Sequence, residues 1–357
     1  MKRQIDVVGA GLSGLVAAIN LARRGYDVRV LEKEEGIGGS PLHHPSAQGT
    51  CLRPAGLYEY IGVDLGEVVE PIRAITEVAA GRAIPVDISG ITPYFFERGP
   101  RPASAESLLY ELAREAGVEF EFSHPVLGQE QLALLPHGTI VATGFSYESF
   151  DALSVPYLTS HHIAQGSECD PGLNFVNVYH DDFTVDYGYM SAFHGIRYAH
   201  IFNRYRPVSS EGVAKFAQRV FEVEGVELDP EGWNHFTLPL PARLISNPRL
   251  FRSNKVLAGS LAGALDPLAF YGLHGALVSG KIASLAVEDK EVAWREFRRC
   301  NRLFASSWLM ATAMSHTPAR FRNAGFGFMF RNFRRLPWAS NGLLMRMPGA
   351  YNCYRKL

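Results

Sequence analysis

Cysteine is scarce in this chain, and its spacing gives it no structural role. The four cysteines in 357 residues are Cys51, Cys169, Cys300 and Cys353, and no two of them form a C-x-x-C pair. This distribution excludes a disulfide-rich secreted scaffold and a cysteine-based zinc site. We expect free thiols in a reducing cytoplasm. We also expect no metal site, because His, Cys and Asp do not cluster at ligand spacing.

The sequence also lacks a long apolar run and an N-terminal targeting pattern. No segment approaches the roughly 20 apolar residues of a membrane-spanning helix. The chain begins Met-Lys-Arg-Gln and enters an apolar strand at once, so we expect no signal peptide. Hydrophobic residues at 47% and charged residues at 20% describe an ordinary globular protein, long enough for two interleaved domains.

Acidic residues are missing from the C-terminal segment. From Phe297 to Leu357 there are eleven Arg or Lys and no Asp or Glu, although the whole chain has a net charge of −1. Phe326, Phe330 and Phe333 recur at helical spacing, with arginines between them. Two interpretations stay open. The segment is a basic amphipathic helix on an anionic membrane surface, at the inner face of the membrane, or it packs on the acidic body of the protein.

A dinucleotide fingerprint opens the chain. Ile5–Val8 predicts a short strand, and Gly9, Gly11 and Gly14 follow it as G-x-G-x-x-G at the turn into an amphipathic helix. A second strand ends at Glu32, whose carboxylate can accept both hydroxyls of an adenosine ribose. The strand, the helix and the acid at the right distance together predict a dinucleotide site, with pyrophosphate at the helix N-terminus.

The segment after the acid decides between cofactors. Gly38-Gly39 follows Glu32 at the distance that resembles the flavoprotein extension of the motif, in which paired glycines let the chain run close to the cofactor. A nicotinamide dehydrogenase would continue with alternating strands and helices. Here residues 40–56 show neither period, so the pattern favours FAD.

Two later segments complete the predicted cofactor site. Residues 138–144 predict a β-branched strand ending in Ala-Thr-Gly, which resembles the return strand of two-domain flavoproteins. Residues 255–287 predict a strand, a loop containing Asp266-Pro267, and a helix that begins near Gly272. The N-terminus of that helix could stabilise the negative charge that a flavin acquires on reduction.

Between these segments the pattern changes to short aromatic and β-branched stretches. Residues 146–249 predict an antiparallel sheet with a turn at His194-Gly195, followed by a helix near 213–223. His161 and His162 alternate on one strand, so only one of them can face a pocket. We expect an α/β fold: a Rossmann-type FAD-binding domain (1–75, 98–150, 250–295), interleaved with an antiparallel β-sheet substrate domain (76–97, 151–249), and a basic helical C-terminal segment (296–357).

Together these segments resemble the geranylgeranyl reductase-like flavoproteins, relatives of the aromatic hydroxylases in the glutathione-reductase superfamily. Pro267, Gly272-Leu273, Ala276 and Ser279-Gly280 match that family's C-terminal motif. Two positions depart from it: Gly259-Ser260 stands where the family has Gly-Asp, and Phe270 replaces a glycine. The resemblance implies FAD as the cofactor, with departures at the reacting end of the site.

The residues assigned to the site follow from these segments. Tyr271 and His274 are the candidate catalytic residues, because either could orient the substrate or donate a proton. The cofactor-binding residues are Gly9, Ala10, Gly11, Leu12, Ser13, Gly14, Glu32, Lys33, Gly39, Ser40, Val126, Ala142, Thr143, Gly144, Gly259, Ser260, Asp266, Gly272 and Leu273.

The expected activity is that of an FAD-dependent oxidoreductase. Reduction or dehydrogenation of a C–C bond in an apolar, lipid- or isoprenoid-like substrate is the first hypothesis. An NAD(P)H-dependent flavin monooxygenase and a flavin-binding redox sensor are the alternatives. Only one dinucleotide fingerprint is present, so the electron donor is NAD(P)H bound transiently, a quinone or a redox protein. No nucleic-acid partner is expected.

Overall fold

The fold was examined in a computed structural model that describes residues 3–39, 44–51, 54–86, 93–126 and 128–335. In these ranges the chain forms three sheets and ten α-helices. The strands are β1 (Gln4–Val8), β2 (Asp27–Leu31), β3 (Ser46–Cys51), β4 (Val69–Pro71), β5 (Ala74–Ala79), β6 (Arg82–Pro85), β7 (Pro93–Arg98), β8 (Glu119–Glu121), β9 (Ile140–Val141), β10 (Leu158–Glu168), β11 (Phe175–Tyr179), β12 (Gly188–Phe193), β13 (Ile196–Asn203), β14 (Asn234–Leu240), β15 (Phe251–Arg252) and β16 (Lys255–Leu257).

At the start of the chain β1, α1 and β2 follow one another as in a Rossmann fold, and the last four helices are consecutive in sequence. They are α1 (Leu12–Ala22), α2 (Pro54–Ile61), α3 (Ala105–Glu115), α4 (Gln129–Leu134), α5 (Tyr147–Ala152), α6 (Ser210–Glu224), α7 (Leu273–Glu288), α8 (Lys290–Cys300), α9 (Phe304–His316) and α10 (Ala319–Arg335), with a short 3-10 turn at Gly259–Ala262. None of these described helices is both long and apolar enough to cross a bilayer.

The first sheet has six strands in the order β15-β16-β9-β1-β2-β8. Its pairs are parallel except for β15 with β16. Parallel strands covered on both faces are apolar throughout, and Val7, Val30 and Val141 are fully buried here. The sequence order reverses on either side of β1, so the carboxyl ends of β1 and β9 flank a crevice, the usual ligand position in such sheets.

The second sheet has seven strands in the order β14-β10-β13-β12-β11-β5-β6. It is antiparallel except for β11 with β5. The predicted turn lies between β12 and β13, where His194 and Gly195 have φ values of +52° and +75°. The predicted α/β class and the two sheet types are therefore confirmed. The domain boundaries remain a prediction.

A third sheet, β3-β7-β4, has no counterpart in the predicted pattern. Residues 40–56 were expected to lack regular structure, yet β3 pairs along its length with β7, and α2 begins at Pro54. The sequence of β3, Ser-Ala-Gln-Gly-Thr-Cys, shows no apolar alternation. Its strand conformation is set by pairing with a neighbour distant in sequence, which periodicity cannot reveal.

Helix α1 and helix α7 pack closely because glycine removes a side chain at their crossing. A Cβ on Gly280 would lie 2.3 Å from the carbonyl oxygen of Ser13, and one on Gly14 would lie 1.9 Å from that of Gly9. Neither contact is tolerable for a real Cβ, so both positions require glycine. This packing holds the first turn of α1 against the first half of α7.

The contacts of α10 favour the interpretation in which part of the basic segment packs on the body of the protein. Phe326 and Phe330 of α10 stack on each other and lie 4.4 and 5.2 Å from the ring of His180. Buried Arg322 donates to the carbonyl oxygen of Thr184. Phe321 and Phe328 are 59% and 67% exposed on the same helix, whereas the side chain of Phe333 lies outside the described residues.

The cysteines only partly follow the expectation of free thiols. Cys169 is a free thiol, and burial raises its pKa above the ordinary value. Cys300 is engaged in a disulfide, so the expectation is wrong for that residue. No spacing rule could have shown this, because a disulfide depends on the distance between Cα atoms in the folded chain.

The turn residue His194 joins the second and third sheets. Its Nδ1 lies 3.2 Å from a carboxylate oxygen of Glu97 on β7, and its Nε2 lies 3.0 Å from one of Glu70 on β4. The hydrogen bond to Glu97, followed by that to Glu70, raises the pKa of His194 above its ordinary value. His194 therefore links the two sheets through both ring nitrogens.

We expect His194→Asn to destabilise the protein in a pH-dependent way, since asparagine tolerates the positive φ but carries no charge. A raised folded-state pKa means that the stabilisation is fully present below the unfolded pKa and is lost as pH rises through the folded value. Urea unfolding should show a larger loss at about pH 5.5 than at about pH 9. His235→Asn, an exposed control on β14, should show no such difference. An equal loss at both pH values for His194→Asn would contradict this account.

Candidate functional site

A cavity of about 530 Å³ lies at the carboxyl ends of the six-stranded sheet and extends to one face of the seven-stranded sheet. The segments that follow β1, β2, β8, β9 and β16 meet there. The predicted cofactor residues that line it are Gly9, Gly11, Leu12, Ser13, Glu32, Lys33, Gly39, Val126, Ala142, Thr143, Gly144, Gly259, Ser260, Gly272 and Leu273. Five segments far apart in sequence thus meet around one space. Ser40 lies outside the described residues.

The glycine turn after β1 brings backbones into contact at the entrance to α1. Gly9 has a φ of +102°, and a Cβ there would lie 2.6 Å from the carbonyl oxygen of Ala142 at the end of β9. Gly11 has open space around it and lines the cavity. The turn therefore leaves room beside the N-terminus of α1, where N–H groups and the helix dipole favour a phosphate.

Glu32 is held at the end of β2 by two backbone groups. Its Oε2 accepts from the N–H of Ala10 at 2.6 Å, and its Oε1 accepts from the N–H of Glu34 at 3.0 Å. Ala10 does not line the cavity, but its N–H positions the carboxylate of Glu32. The carboxylate is thus fixed at the cavity wall, in the position expected of a ribose-binding acid.

The paired glycines have separate roles. Gly39 lines the cavity, as expected for a segment that runs close to a cofactor. Gly38 has a φ of +114°, and a Cβ there would lie 2.5 Å from the backbone nitrogen of Pro100. Close approach to another part of the chain, and not to a ligand, therefore requires glycine at position 38.

The first turn of α7 forms the far end of the same wall. Gly272 and Leu273 line the cavity, together with Gly259 and Ser260 at the end of β16. Gly259 has a φ of +66°, donates its N–H to Ser279 Oγ at 2.8 Å, and leaves no room for a Cβ beside Ser13 Oγ. The two helix N-termini thus approach the cavity from neighbouring positions.

Besides Ala10 and Gly14, three predicted site residues do not line this cavity. His274 is fully buried within α7, and Tyr271 precedes that helix. The carboxylate of Asp266 accepts from the N–H groups of Leu268 and Ala269 and from the hydroxyl of Ser307. Asp266 therefore shapes the loop before α7. The catalytic assignment of His274 and Tyr271 stays an untested prediction.

That loop places Phe270 on the cavity wall in a conformation that favours glycine. Phe270 has a φ of +57°, and its ring packs at 4.3 Å from that of Phe202 and 4.7 Å from the guanidinium of Arg204. Buried Arg204 pairs with Asp186 and donates to the carbonyl oxygen of Pro267. Cation–π and ring packing offset the cost of the strained backbone.

The opposite wall contains polar residues, of which the sequence had drawn attention only to the His161-His162 pair. Ser160, His162 and His200 line the cavity among the rings of Tyr187, Tyr189, Phe202 and Phe236. Of the histidine pair on β10, His162 faces the cavity and His161 lies on the other face, since their neighbours alternate. Burial raises the pKa of both Tyr187 and Tyr189, so these phenols are neutral. His200 gave no sequence signal beyond its place on an apolar strand.

Comparisons with known proteins agree with this geometry. Residues 7–49 match a family model described as an NAD(P)-binding Rossmann-like domain. A digeranylgeranylglycerophospholipid reductase of Methanopyrus kandleri is 33% identical over 156 residues, which are 43% of this chain and 36% of that protein. A flavin-containing monooxygenase of Arabidopsis thaliana is 46% identical over 50 residues, 14% of this chain and 11% of that one. The matched segments are thus a minor part of these relatives.

Solved structures match over nearly the whole chain. A geranylgeranyl bacteriochlorophyll reductase-like protein of Thermoplasma acidophilum has a TM-score of 0.68 at 14% identity, covering 91% of both chains. A p-nitrophenol 4-monooxygenase of Pseudomonas putida has a TM-score of 0.70 at 16% identity, covering 97% of this chain and 98% of that one. The predicted resemblance and fold are confirmed.

Replacing Phe270 by Gly and by Ala tests the strained loop. Both variants lose the ring packing, but glycine adopts the positive φ freely, so Phe270→Gly should be more stable than Phe270→Ala by about 1 kcal/mol. The same two substitutions at Phe236, in strand β14, should show the opposite order. Urea unfolding measures both pairs. If Phe270→Ala were more stable than Phe270→Gly, the backbone at position 270 would not be strained.

Proposed function

We propose that this protein is an FAD-dependent oxidoreductase whose substrate binds between the flavin and the aromatic face of the seven-stranded sheet. One observation carries the proposal: a single cavity joins the dinucleotide turn to the ring-lined wall. We call the side built from the glycine turn, Glu32 and the start of α7 the first wall, and the aromatic face of the seven-stranded sheet the second wall. A cofactor held by the first wall would present its far end to the second wall. A binding protein for a nucleotide alone would not need the second wall.

Each part of the first wall suits one part of FAD. The N-terminus of α1, beside Gly11, would hold the pyrophosphate, and Glu32 would accept the ribose hydroxyls. Ser260 would bind the ribitol by a neutral hydrogen bond. The N-terminus of α7, at Gly272, would face the part of the flavin that gains negative charge on reduction. Bound FAD supplies two-electron chemistry, and the chain supplies position and proton transfer.

Reduction or dehydrogenation of a C–C bond in an apolar substrate is the first candidate reaction. The second wall offers four rings, those of Tyr187, Tyr189, Phe202 and Phe236, so it favours burial of an apolar group, as a lipid- or isoprenoid-like substrate would provide. The similarity to the reductase of Methanopyrus kandleri supports this candidate. Contact of 297–357 with a membrane surface, which would bring a lipid substrate close, remains a prediction.

Hydroxylation with NAD(P)H is the second candidate. Buried Ser160, His162 and His200 supply hydrogen-bonding groups in the same wall, which a purely hydrocarbon substrate would not require. A substrate with an ionisable group would use them. The structural likeness to the p-nitrophenol monooxygenase supports this candidate at the level of the fold. A quinone or a redox protein remains an alternative electron donor for the first candidate.

Glu32→Gln should weaken FAD binding, because the neutral amide can no longer accept from two donors and bind the ribose as an anion. We expect a loss of roughly tenfold or more in affinity, equivalent to about 1.4 kcal/mol. Flavin fluorescence during titration of the apoprotein measures it. Glu35→Gln changes the same charge at an exposed neighbouring position and should bind FAD normally. If the two variants bound FAD with equal affinity, the ribose would not bind at Glu32.

Oxygen uptake separates the candidate reactions. The FAD-loaded protein is supplied with NAD(P)H and a panel of phenols and polyprenyl lipids. Substrate-dependent oxygen consumption with an oxygenated product supports hydroxylation, whereas anaerobic reduction of the lipid supports C–C chemistry. A flavin that is reduced by dithionite but turns over none of these compounds favours the redox-sensor alternative and contradicts the proposal. Absence of bound FAD would contradict all three.

A further inference from the structure

Exposed apolar side chains are concentrated around helix α9. Of the ten large hydrophobic residues that are exposed in the described part of the chain, five lie there. Leu309 and Met310 are on the outer face of α9, Leu244 and Ile245 are in the loop after β14, and Tyr205 follows β13. These five residues are between 43% and 56% exposed. Monomeric proteins seldom group apolar side chains in this way unless a partner covers them.

Two hydrogen bonds join these three segments. The indole Nε1 of Trp308 in α9 donates to the carbonyl oxygen of Ala242, beside the exposed pair at 244–245, at 2.8 Å. Seven residues later, on the same side of α9, Ser315 Oγ lies 3.3 Å from the hydroxyl oxygen of Tyr205. Helix α9 therefore contacts both of the other segments. We call residues 205–206, 243–245, 302, 309 and 310 the basic apolar surface.

The charges on the basic apolar surface are all positive. Arg206, Arg243 and Arg302 are exposed. Among the described residues, no carboxylate oxygen lies within 4.0 Å of the charged nitrogens of these three side chains. The surrounding stretches of sequence also contain no Asp or Glu; these are residues 203–208, 241–249 and 297–335. The surface is thus complementary to an anionic partner that also offers apolar contact.

We propose that the basic apolar surface binds an anionic lipid bilayer. The inference rests on the proposed function and deepens it, because a lipid-like substrate is delivered from a membrane. The apolar side chains enter the boundary between head groups and acyl chains, and the guanidinium groups donate to lipid phosphates. A nucleic acid would neutralise the arginines but leave the aliphatic side chains uncovered, whereas a bilayer satisfies both.

The buried side of α9 packs on the cavity wall. Ser307 Oγ donates to Asp266, which organises the loop that holds Phe270. The ring of Trp308 packs on the same apolar cluster as Phe270, and this cluster includes Leu240. Phe270 and Leu240 both line the cavity. A bilayer bound to the outer face of α9 therefore lies beside the cavity, with this single helix between them.

The basic apolar surface differs from the stripe of phenylalanines that the sequence indicated on α10. Phe326 and Phe330 pack against the ring of His180 on the body of the protein. These two rings are therefore occupied, and the proposal does not use them. The side chains offered to the bilayer are instead those of α9 and of the two loops that contact it.

Vesicle flotation with the full chain tests the proposal and needs neither FAD nor a substrate. The protein should float with vesicles of phosphatidylcholine that contain about 30% phosphatidylglycerol, and should not bind phosphatidylcholine alone. About 0.5 M salt should release part of it, because screening weakens the arginine contacts. Binding to neither vesicle, or equal binding to both, would overturn the proposal while leaving the FAD assignment untouched.

Two double variants identify the surface that binds. Leu309→Gln combined with Met310→Gln should lower the vesicle partition coefficient by about tenfold or more, because the apolar contact with the bilayer is lost. Arg206→Gln combined with Arg243→Gln should lower it by about 20-fold, since each basic side chain near an anionic surface contributes about fivefold. All four side chains are exposed, so the variants should fold, and urea unfolding checks this.

Matched controls lie elsewhere on the surface of the protein. Phe221→Gln removes a half-exposed ring from α6, and Arg73→Gln removes an exposed charge before β5. Both should bind vesicles as the wild type does. If the double variant at 309 and 310 also bound as the wild type, the contact would be purely electrostatic, as with an acidic protein partner, and the proposal would be wrong. Wild-type binding by the arginine double variant would equally overturn it.

A polyprenyl lipid substrate separates docking from catalysis. When the lipid is presented in anionic vesicles, the double variant at 309 and 310 should turn it over more slowly, in proportion to its lower bound fraction. When the lipid is dissolved in detergent, the variant and the wild type should have equal rates. Equal rates in vesicles would overturn delivery from the bilayer. A protein that binds vesicles but acts on no lipid would contradict the proposed reaction and support the docking surface alone.

Discussion

The structure depends on the close approach of backbones around the turn between β1 and α1. Gly9 lies against the carbonyl group of Ala142, Gly14 against that of Gly9, and Gly280 against that of Ser13. These contacts bring together the ends of two parallel strands, the start of α1 and the middle of α7. Because no side chain fits between them, the cavity wall there is built from backbone groups and helix termini, which suit a phosphate and a cofactor with changing charge.

The second wall is joined to the first by the loop before α7. Asp266 organises this loop from within, and Tyr187 and Arg204 hold it from the seven-stranded sheet by donating to the carbonyl oxygens of Ala269 and Pro267. Phe270, held at positive φ, fills the space between them. A position where the resembling family has glycine thus carries a ring here, and that ring lines the cavity against Phe202.

Local sequence patterns predicted much of the first wall of the cavity. The glycine spacing, the acid of β2 and the turn before α7 are set by backbone geometry, so Gly9, Glu32 and Gly272 could be assigned without a structure. Asp266, which the same patterns assigned to the cofactor, does not line the cavity and makes its hydrogen bonds to the loop and to Ser307. The patterns also could not show β3 or the disulfide of Cys300, because both depend on partners distant in sequence.

A dinucleotide site of the flavoprotein type could be predicted from the sequence, because the glycine turn, the helix after it and the acid that ends β2 form one local pattern in residues 5–39. Tertiary structure alone decided what faces that site. Ser160, His162 and His200 are ordinary residues of two strands, and only antiparallel pairing of β10 with β13 and β14 places them in hydrogen-bonded order beside Leu238. Strand register is a long-range property, so this hydrogen-bonded arrangement could not be predicted from the sequence.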